Sequence, residues 1–304
     1  MTSPASHARI FEVGPRDGLQ NEEAVLSVAQ RVELIERLVA AGARDVEMGS
    51  FVHPKWIPQM ADTDDVARAL TRHPDVNYWA LVPNQKGLQR AIDSEISHIC
   101  VFISASDAHN KKNLNRSIQQ SFDELKEVFA QAKDHQMTIR AYVSMVFGCP
   151  YEGVIDPDTV KTTTGRLLEM GADHVSLGDT IGIGTPAQVR ATCADWLKAF
   201  GPQALSLHLH DTRGMGVTNA LVALEQGMTQ FDSSVGGIGG CPYAPGAAGN
   251  LGSEDLIYLL DAMGVETGYD IDGISQTAHW LETEAGISIP SRCTNYLYAD
   301  RCDV

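Results

Sequence analysis

Short apolar runs alternate along the chain with longer stretches in which apolar residues recur every three or four positions. The short runs are typical of buried strands, and the longer stretches have the spacing of amphipathic helices. The clearest helical stretch is Ser27–Ala41, where Val28, Val32, Ile35 and Leu38 fall on one face and a glycine follows at once. A glycine in that position is a common helix stop.

The whole chain continues this rhythm as eight strands and eight helices. The predicted strands are Ile10–Val13, Asp45–Met48, Tyr78–Val82, His98–Ile103, Ile139–Phe147, His174–Leu177, Leu205–Leu209 and Gln230–Val235. The other predicted helices are Thr63–Thr71, Lys86–Ile92, Ile118–His135, Asp158–Met170, Pro186–Phe200, Met215–Gln226 and Glu254–Met263, with an additional C-terminal helix at Asp270–Ala285. Strict alternation implies parallel strands joined by crossover helices, so an α/β fold of the (β/α)₈ TIM-barrel type is predicted.

A single domain is expected to account for all 304 residues. This length alone would suggest two domains, but barrels of this size commonly form one. The barrel is predicted over about residues 9–265 and the C-terminal helix and tail over 266–304, with disorder confined to the first few residues and the last dozen. A doubly wound sheet is the alternative, but its glycine-rich dinucleotide loop is replaced after the first strand by Gly14-Pro15-Arg16-Asp17.

Composition and net charge limit the classes of partner that this chain is expected to bind. The chain is 43% hydrophobic and 20% charged, which is typical of a globular protein, and its net charge of −16 argues against nucleic acid and anionic membranes. Neither a membrane-length apolar run nor a targeting pattern is evident, and the six cysteines include no CxxC pair. We therefore expect a soluble cytoplasmic protein, which, like many barrels, associates as a homodimer or a higher homo-oligomer.

Unusual polar residues fall where the predicted strands end. In a TIM barrel these ends form the active face, so residues that are distant in sequence converge there. The candidates are Arg16 and Asp17 after strand one, Glu47 closing strand two, Asp179 after strand six, His208 and His210 closing strand seven, and Cys241 and Asn250 after strand eight.

His208-Leu209-His210 is the sharpest local feature. Residues two apart on a strand point to the same side, so both imidazoles face the mouth. A hydrogen-bonded histidine pair is the structural alternative, but opposite Asp17 a shared metal ion is favoured. Two imidazoles with the carboxylate of Asp17 and the amide oxygen of Asn250 suit Mg²⁺ or Mn²⁺, and Zn²⁺ less well.

The remaining candidates each have a structural interpretation beside a functional one. Arg16 either forms a surface ion pair or offers its guanidinium to a developing enolate oxygen, and Glu12 is placed to orient it. Glu47 and Asp179 either support the fold or hold Arg16 and the substrate. Cys241 lies in a run of glycines, interpreted as a mobile loop that presents a reactive thiol.

A second cysteine, Cys149, has a related setting and is expected to be structural. Three basic residues, Lys111, Lys112 and Arg116, are predicted in the loop after strand four. Basic runs are usually solvated, but at the active face of an acidic chain these three are candidates for binding the phosphates of a ligand.

Five segments resemble the 3-hydroxy-3-methylglutaryl-CoA lyase family. They read EVGPRDGLQNE from residue 12, SFV at 50–52 with PKW at 54–56, GCPYEG at 148–153, GDTIG at 178–182 and GGCPY at 239–243. The first and last are highly specific together, and the similarity runs over about residues 9–285. The resemblance implies a metal-dependent TIM-barrel lyase with an acyl-CoA substrate.

The same resemblance implies a role for each candidate. Its metal ligands are Asp17, His208, His210 and Asn250. Arg16 stabilises the enolate, Cys241 donates a proton from its loop, and Glu47 and Asp179 support the site. The chemistry is a retro-Claisen cleavage to acetyl-CoA and acetoacetate, with His208 as one candidate base.

Three positions near the mouth depart from the family pattern. They are Glu23, where relatives carry a basic residue, Met48-Gly49, where they often have two threonines, and Arg213-Gly214-Met215, where they often have Tyr-Gly-Gln. These departures keep open a different 3-hydroxy-3-substituted glutaryl-CoA as the substrate. A synthase joining acetyl-CoA to a 2-oxo acid and an inactive barrel that only binds CoA metabolites are further alternatives.

Overall fold

The computed structural model describes residues 6–240 and 249–299. Eight parallel strands form a closed barrel in which each strand pairs with its neighbours in sequence and the last pairs with the first. The strands are β1 (Arg9–Glu12), β2 (Asp45–Ser50), β3 (Asn77–Leu81), β4 (His98–Ser104), β5 (Thr138–Ser144), β6 (His174–Asp179), β7 (Leu205–Leu209) and β8 (Gln230–Ser233). The predicted TIM barrel is therefore confirmed.

Helices surround the barrel and cover its outer face. They are α1 (Val28–Ala40), α2 (Thr63–Ala69), α3 (Gln85–Asp93), α4 (Asp107–Leu114), α5 (Ile118–Asp134), α6 (Pro157–Met170), α7 (Pro186–Phe200), α8 (Gly216–Glu225), α9 (Ser253–Ala262), α10 (Ile271–Ala285) and α11 (Arg292–Tyr298). None of these described helices has the length and apolarity to cross a membrane.

Helix α1 illustrates why these residues form this layer. Ser27 precedes the helix, and its side chain and that of Gln30 each accept a hydrogen bond from the other's backbone N–H, which satisfies two donors that a helix start leaves unpaired. Leu34, Ile35 and Leu38 are fully buried against the barrel. The apolar stripe seen in the sequence is thus the face that packs on the strands.

The barrel interior differs from this outer layer because it is partly charged. Phe11, Trp79, Leu81, Cys100 and Tyr142 form a small apolar cluster separate from the main core. Buried charged residues lie beside it, so the interior of the barrel is a mixed aromatic and ionic layer. A polar interior toward the mouth is where a (β/α)₈ fold carries its chemistry.

Several predicted boundaries were wrong for local reasons. Strand β5 ends at Ser144 instead of continuing to Phe147, because Met145 adopts a left-handed backbone with φ of 63°. The Met145 amide then donates to Thr180 Oγ1 at 3.0 Å and leaves the ladder. Beyond it, residues 148–149 and 153–154 form a short antiparallel hairpin that the sequence analysis did not predict.

The tail was expected to be disordered over its last dozen residues, but six of them belong to α11. Asp255 on α9 accepts hydrogen bonds from the amides of Arg292 and Cys293, which anchors the start of this helix. The Arg292 side chain also contacts Asp211 at 3.1 Å. A second C-terminal helix is therefore added to the single one predicted.

Two buried carboxylates hold the turn that leaves β8. Glu12 accepts the amides of Gly14 and Val235 at 2.8 and 2.9 Å, and Glu254 accepts the amide of Gly236. Glu12 thus connects the exits of β1 and β8, and the expectation that it orients Arg16 was wrong. Gly236 has a φ of +67°, and a Cβ there would lie 2.8 Å from Ile289, so the turn requires glycine.

We predict that Glu254 makes stability fall as pH rises. Burial raises the pKa of Glu254 to about 8, whereas an unfolded glutamate titrates near ~4.3. Between these values the folded state holds a proton that the unfolded state has lost, so the free energy of unfolding decreases by up to ~1.4 kcal/mol per pH unit. Glu254→Gln should flatten this decrease in urea denaturation across that pH range.

Glu33→Gln is the control, because Glu33 is an exposed partner of Arg37 on α1. It should leave the pH profile of stability unchanged. A Glu254→Gln profile that runs parallel to the wild-type profile would contradict the prediction.

Candidate active site

A cavity of about 400 Å³ opens at the C-terminal ends of the strands. Arg16, Asp17, Tyr142, His208 and His210 line it. Its apolar wall consists of Val52, Ile57, Leu81 and Phe102, with Trp56 at the same mouth. The barrel thus brings together side chains from β1, β5 and β7 at the position where catalysis occurs in this fold.

Arg16 and Asp17 lie in one wide helical turn, Gly14–Gly18, that directly follows β1. The carbonyl of Val13 accepts the amides of Arg16, Asp17 and Gly18, so the turn is wound tightly around one acceptor. Both adjacent side chains line the cavity. A continued strand would have pointed them to opposite faces.

Asp17, His208 and His210 form the metal-binding candidate. One ligand atom from each lies within 4.8 Å of the other two. The Nε2 atoms of His208 and His210 are 3.1 Å apart, and Asp17 Oδ2 lies 3.8 Å from His208 Nε2. Adjacent ligands of an octahedral ion with bonds of about 2.1 Å are about 3 Å apart, so the two imidazoles fit one ion.

The protonation states of these three residues also suit a cation. Burial opposes ionisation of Asp17, but Arg16 and the two histidines outweigh it and lower the pKa of Asp17 to about 2. Burial and the neighbouring His208 lower the pKa of His210 to about 3, which keeps that ring neutral. An ionised carboxylate and a neutral imidazole are the forms that bind a metal.

Asn250 completes the donor set. Its backbone forms an isolated β-bridge with that of His210, and its side-chain Nδ2 donates to Asp17 Oδ2 at 3.0 Å. Its Oδ1 is buried without a hydrogen-bond partner in the described chain. A buried amide oxygen without a partner is costly, and a cation bound beside Asp17 would satisfy it. The residues present therefore fit a divalent cation, with oxygen and nitrogen donors only.

Arg16 is held by two carboxylates. Its Nη1 contacts Asp17, and its Nη2 lies 2.7 Å from Glu47 Oε2. Tyr142 donates its hydroxyl hydrogen to the same Glu47 oxygen at 2.9 Å. Burial opposes the charge of Arg16, but Asp17 and Glu47 outweigh it and hold the pKa of Arg16 above its ordinary value. Arg16 is thus a fixed cation at the cavity wall.

Asp179 lies at the end of β6, as the sequence analysis placed it, but its side chain serves the backbone. Its two carboxylate oxygens accept the amides of Ile183 and Gly184 at 3.0 and 2.9 Å. Its neighbours Gly178 and Thr180 line the cavity. The position of Asp179 therefore explains how the turn after β6 is shaped, while contact of Asp179 with substrate stays a prediction.

The three basic residues were predicted in a loop, but Lys111 and Lys112 lie on α4, whose His109 and Asn113 line the cavity. Helix α4 was missed because it is short and lacks an apolar stripe. Lys111 pairs with Asp107 at 2.5 Å, and Arg116 pairs with Glu124. Lys112 is exposed on the same helix. For Lys111 and Arg116, the proposed phosphate contacts therefore require each side chain to leave its acidic partner.

Cys241 falls outside the described residues, so its proposed role rests on the sequence alone. The glycine run before it was interpreted as mobile, which was wrong for its described part. A Cβ on Gly239 would lie 2.6 Å from Asn250 Nδ2, and residues 235–239 are buried in close packing. Cys149 is buried and lies 2.9 Å from Ser106 Oγ, in agreement with a structural cysteine.

Two charged residues behind the site were missed by the sequence analysis. Asp232 on β8 lies 3.2 Å from His208 Nδ1, and Arg140 on β5 contacts Asp232. Arg140 also donates to the hydroxyl of Tyr142 at 2.6 Å. A charged residue inside each of two otherwise buried strands was the signal that could have identified them.

None of the three departures from the family pattern is among the residues that line the described cavity. Met48 is fully buried, and its carbonyl accepts a hydrogen bond from Arg31 at 3.0 Å. Arg213 donates to the carbonyl of Ile181 at 2.6 Å, and Glu23 is exposed.

A parallel eight-stranded barrel with paired histidines, an aspartate and a fixed arginine at its mouth defines a TIM-barrel enzyme with a candidate metal site. The chain belongs to the HMGL-like family, whose model matches residues 7–281. This match confirms the resemblance seen in the sequence, and the family is metal-dependent.

Individual relatives cover nearly the whole chain. A hydroxymethylglutaryl-CoA lyase from Bacillus subtilis is 45% identical over 93% of this chain and 95% of its own. A 3-hydroxy-3-isohexenylglutaryl-CoA/hydroxymethylglutaryl-CoA lyase from Pseudomonas aeruginosa is 42% identical over 96% and 97%. An HMG-CoA lyase from Acinetobacter baumannii, solved with coenzyme A and 3-methylmalate, superimposes with a TM-score of 0.92 at 36% identity, over 100% and 99%.

We predict that Asn250→Ala weakens Mn²⁺ binding about tenfold or more, because it removes one donor and the contact that orients Asp17. Isothermal titration calorimetry measures the dissociation constant. Asn219→Ala is the matched control, since Asn219 is also fully buried with an amide oxygen that lacks a partner, but lies on α8 and donates to Gly184. Equal Mn²⁺ affinity in both variants would contradict the assignment of Asn250.

Proposed function

We propose that this protein is a divalent-metal-dependent carbon–carbon lyase that cleaves 3-hydroxy-3-methylglutaryl-CoA to acetyl-CoA and acetoacetate. The observation that carries the proposal is the cluster of Asp17, His208 and His210 beside the fixed guanidinium of Arg16. Relatives at 41–46% identity named as lyases for this substrate support it.

The site supplies what a retro-Claisen cleavage needs. A divalent cation held by Asp17, His208, His210 and Asn250 would act as a Lewis acid toward the substrate oxygens. We favour Mg²⁺ or Mn²⁺ over Zn²⁺, because the donors in the described chain are oxygen and imidazole nitrogen without thiolate.

Cleavage begins with loss of the proton on the tertiary hydroxyl. His208 is one candidate base at the mouth, and in that role its single Nε2 lone pair accepts the proton instead of binding the cation. Burial lowers the pKa of His208, but the carboxylates of Asp232 and Asp17 outweigh burial and raise it overall. These carboxylates stabilise a proton on the ring, as a general base requires.

Breaking the bond between C2 and C3 leaves acetoacetate and moves the electron pair into the enolate of acetyl-CoA. Arg16 is positioned to stabilise the enolate oxygen, because Asp17 and Glu47 fix its guanidinium in advance. The carbon must then receive a proton, and Cys241 remains our proposed donor. Asp179 supports the site through the turn that it shapes.

The acyl-CoA must approach a chain whose net charge is −16. Local cations at the mouth offset this repulsion. Lys111, Lys112 and Arg116 are our proposed contacts for the phosphates, with Lys112 the best placed because it is exposed on α4 beside Asn113. A cytoplasmic location and a homo-oligomeric state complete the proposal.

A turnover assay tests the function directly. We expect release of acetoacetate from 3-hydroxy-3-methylglutaryl-CoA to stop on exhaustive chelation and to return with Mg²⁺ or Mn²⁺. The isohexenyl analogue is the comparison substrate, and the better substrate has the higher kcat/KM. Turnover that persists without metal would exclude the metal role, and a lack of turnover with either thioester would exclude the lyase.

We predict that Arg16→Lys lowers kcat by about 10²–10³-fold, because a lysine ammonium lacks the planar fork that contacts two carboxylates and an enolate together. Steady-state kinetics give kcat and KM. Arg37→Lys is the control, since Arg37 forms an exposed ion pair on α1. A kcat within threefold of wild type for Arg16→Lys would remove Arg16 from catalysis.

A further inference from the structure

Asp232 occupies the centre of the barrel interior, directly beneath the site. Its side chain is fully buried, and its position in the parallel ladder is beside His208 on the neighbouring strand. Neither the sequence patterns nor the metal-ligand set required an acid at this position, so its role needs a separate explanation.

Four groups contact the two carboxylate oxygens of Asp232. Oδ1 accepts from Arg140 and from Ser206 Oγ at 3.2 Å. Oδ2 accepts from Ser176 Oγ at 2.9 Å and lies 3.2 Å from His208 Nδ1. These partners come from β5, β6 and β7, so the carboxylate is fixed by three strands besides its own. Arg140 and the two hydroxyl groups all donate to this carboxylate, so it acts toward them as a hydrogen-bond acceptor.

An ionised carboxylate can only accept hydrogen bonds, so the Nδ1 of His208 must carry the hydrogen. On a neutral ring the lone pair then resides on Nε2, the atom 3.1 Å from His210 Nε2 at the metal candidate. His210 differs, because its Nδ1 is buried without a partner in the described part of the chain. The described contacts therefore fix the tautomer of one histidine only.

We propose that Asp232 is a positioning residue that fixes the tautomer and the orientation of His208, so that Nε2 presents its lone pair to the site. This inference rests on the proposed function, in which Nε2 of His208 is a ligand of the divalent cation. A carboxylate behind a metal-binding histidine commonly determines both its tautomer and its affinity.

The simpler interpretation is that Asp232 only neutralises Arg140. The separate contacts of its two oxygens favour a role in positioning His208, because Oδ1 contacts Arg140 while Oδ2 is directed to His208. The variant Asp232→Asn distinguishes the positioning role from the neutralising role. An asparagine whose oxygen faces Arg140 directs its amide hydrogens at His208 Nδ1, which moves the ring hydrogen to Nε2 and removes the lone pair from the site.

The test compares Asp232→Asn with Asp45→Asn. Asp45 is a matched control at the opposite end of the barrel, where it is buried and accepts from Arg9, Asn77 and Trp79. Both substitutions remove the charge of a buried carboxylate that pairs with an arginine, so both should lower the melting temperature. Only Asp232→Asn should weaken Mn²⁺ binding, by about 10–100-fold in calorimetry.

Mn²⁺ affinity within twofold of wild type in folded Asp232→Asn would overturn the proposal and leave Asp232 as a counter-charge. If Asp232→Asn does not fold, a measurement on the wild-type protein tests the proposal instead. Histidine ¹⁵N spectra of the metal-free protein at alkaline pH should show His208 with its hydrogen on Nδ1, identified by the signal missing in His208→Gln. Hydrogen on Nε2 would overturn the inference.

The same experiments separate this inference from the proposed function. A wild-type protein that binds no Mn²⁺ would remove the metal site, whereas the tautomer of His208 would still support or overturn the contact with Asp232. Normal Mn²⁺ binding and lyase turnover with an unperturbed Asp232→Asn variant would retain the function and overturn the inference alone.

Discussion

Pairing of charges inside a closed barrel is the constraint on which the rest of the structure depends. Arg16 and Arg140 are buried together with Glu47 and Asp232, beside the partly buried Asp17, where an unpaired charge would cost several kcal/mol. Among these five residues, three carboxylates against two guanidinium groups leave one negative charge, beside which the proposed divalent cation would bind. The arrangement explains why so polar an interior is compatible with a stable barrel.

The fold could be predicted from the sequence because its signal is repeated eight times. Each strand and helix has its own apolar period, so an error at one boundary, such as the end of β5 at Met145, leaves the topology intact. Elements without such a period were missed. Helix α4 is polar on every side, and α11 depends on contacts with Asp255 that come from another part of the chain.

Only the parts of the candidate site that follow from strand spacing and strand ends could be predicted from the sequence. His208 and His210 share a face by their spacing, and the strand ends collect Arg16 and Asp17. Which group a carboxylate contacts is determined by the three-dimensional fold. Glu12 and Asp179 bind backbone amides, and Asp232 holds a histidine, although all three are acids near strand ends. Sequence position alone does not separate these roles.

The wide turn at Gly14–Gly18 places two adjacent residues on one wall of the cavity. Their side chains are coupled by the geometry of five residues, so inserting or deleting a single residue there would displace both together. An evolving or redesigned barrel therefore cannot exchange the proposed cation ligand, Asp17, and the proposed anion-stabilising group, Arg16, one at a time through changes in loop length. New chemistry on this scaffold must arise by substitution at the mouth, with this pair inherited as one unit.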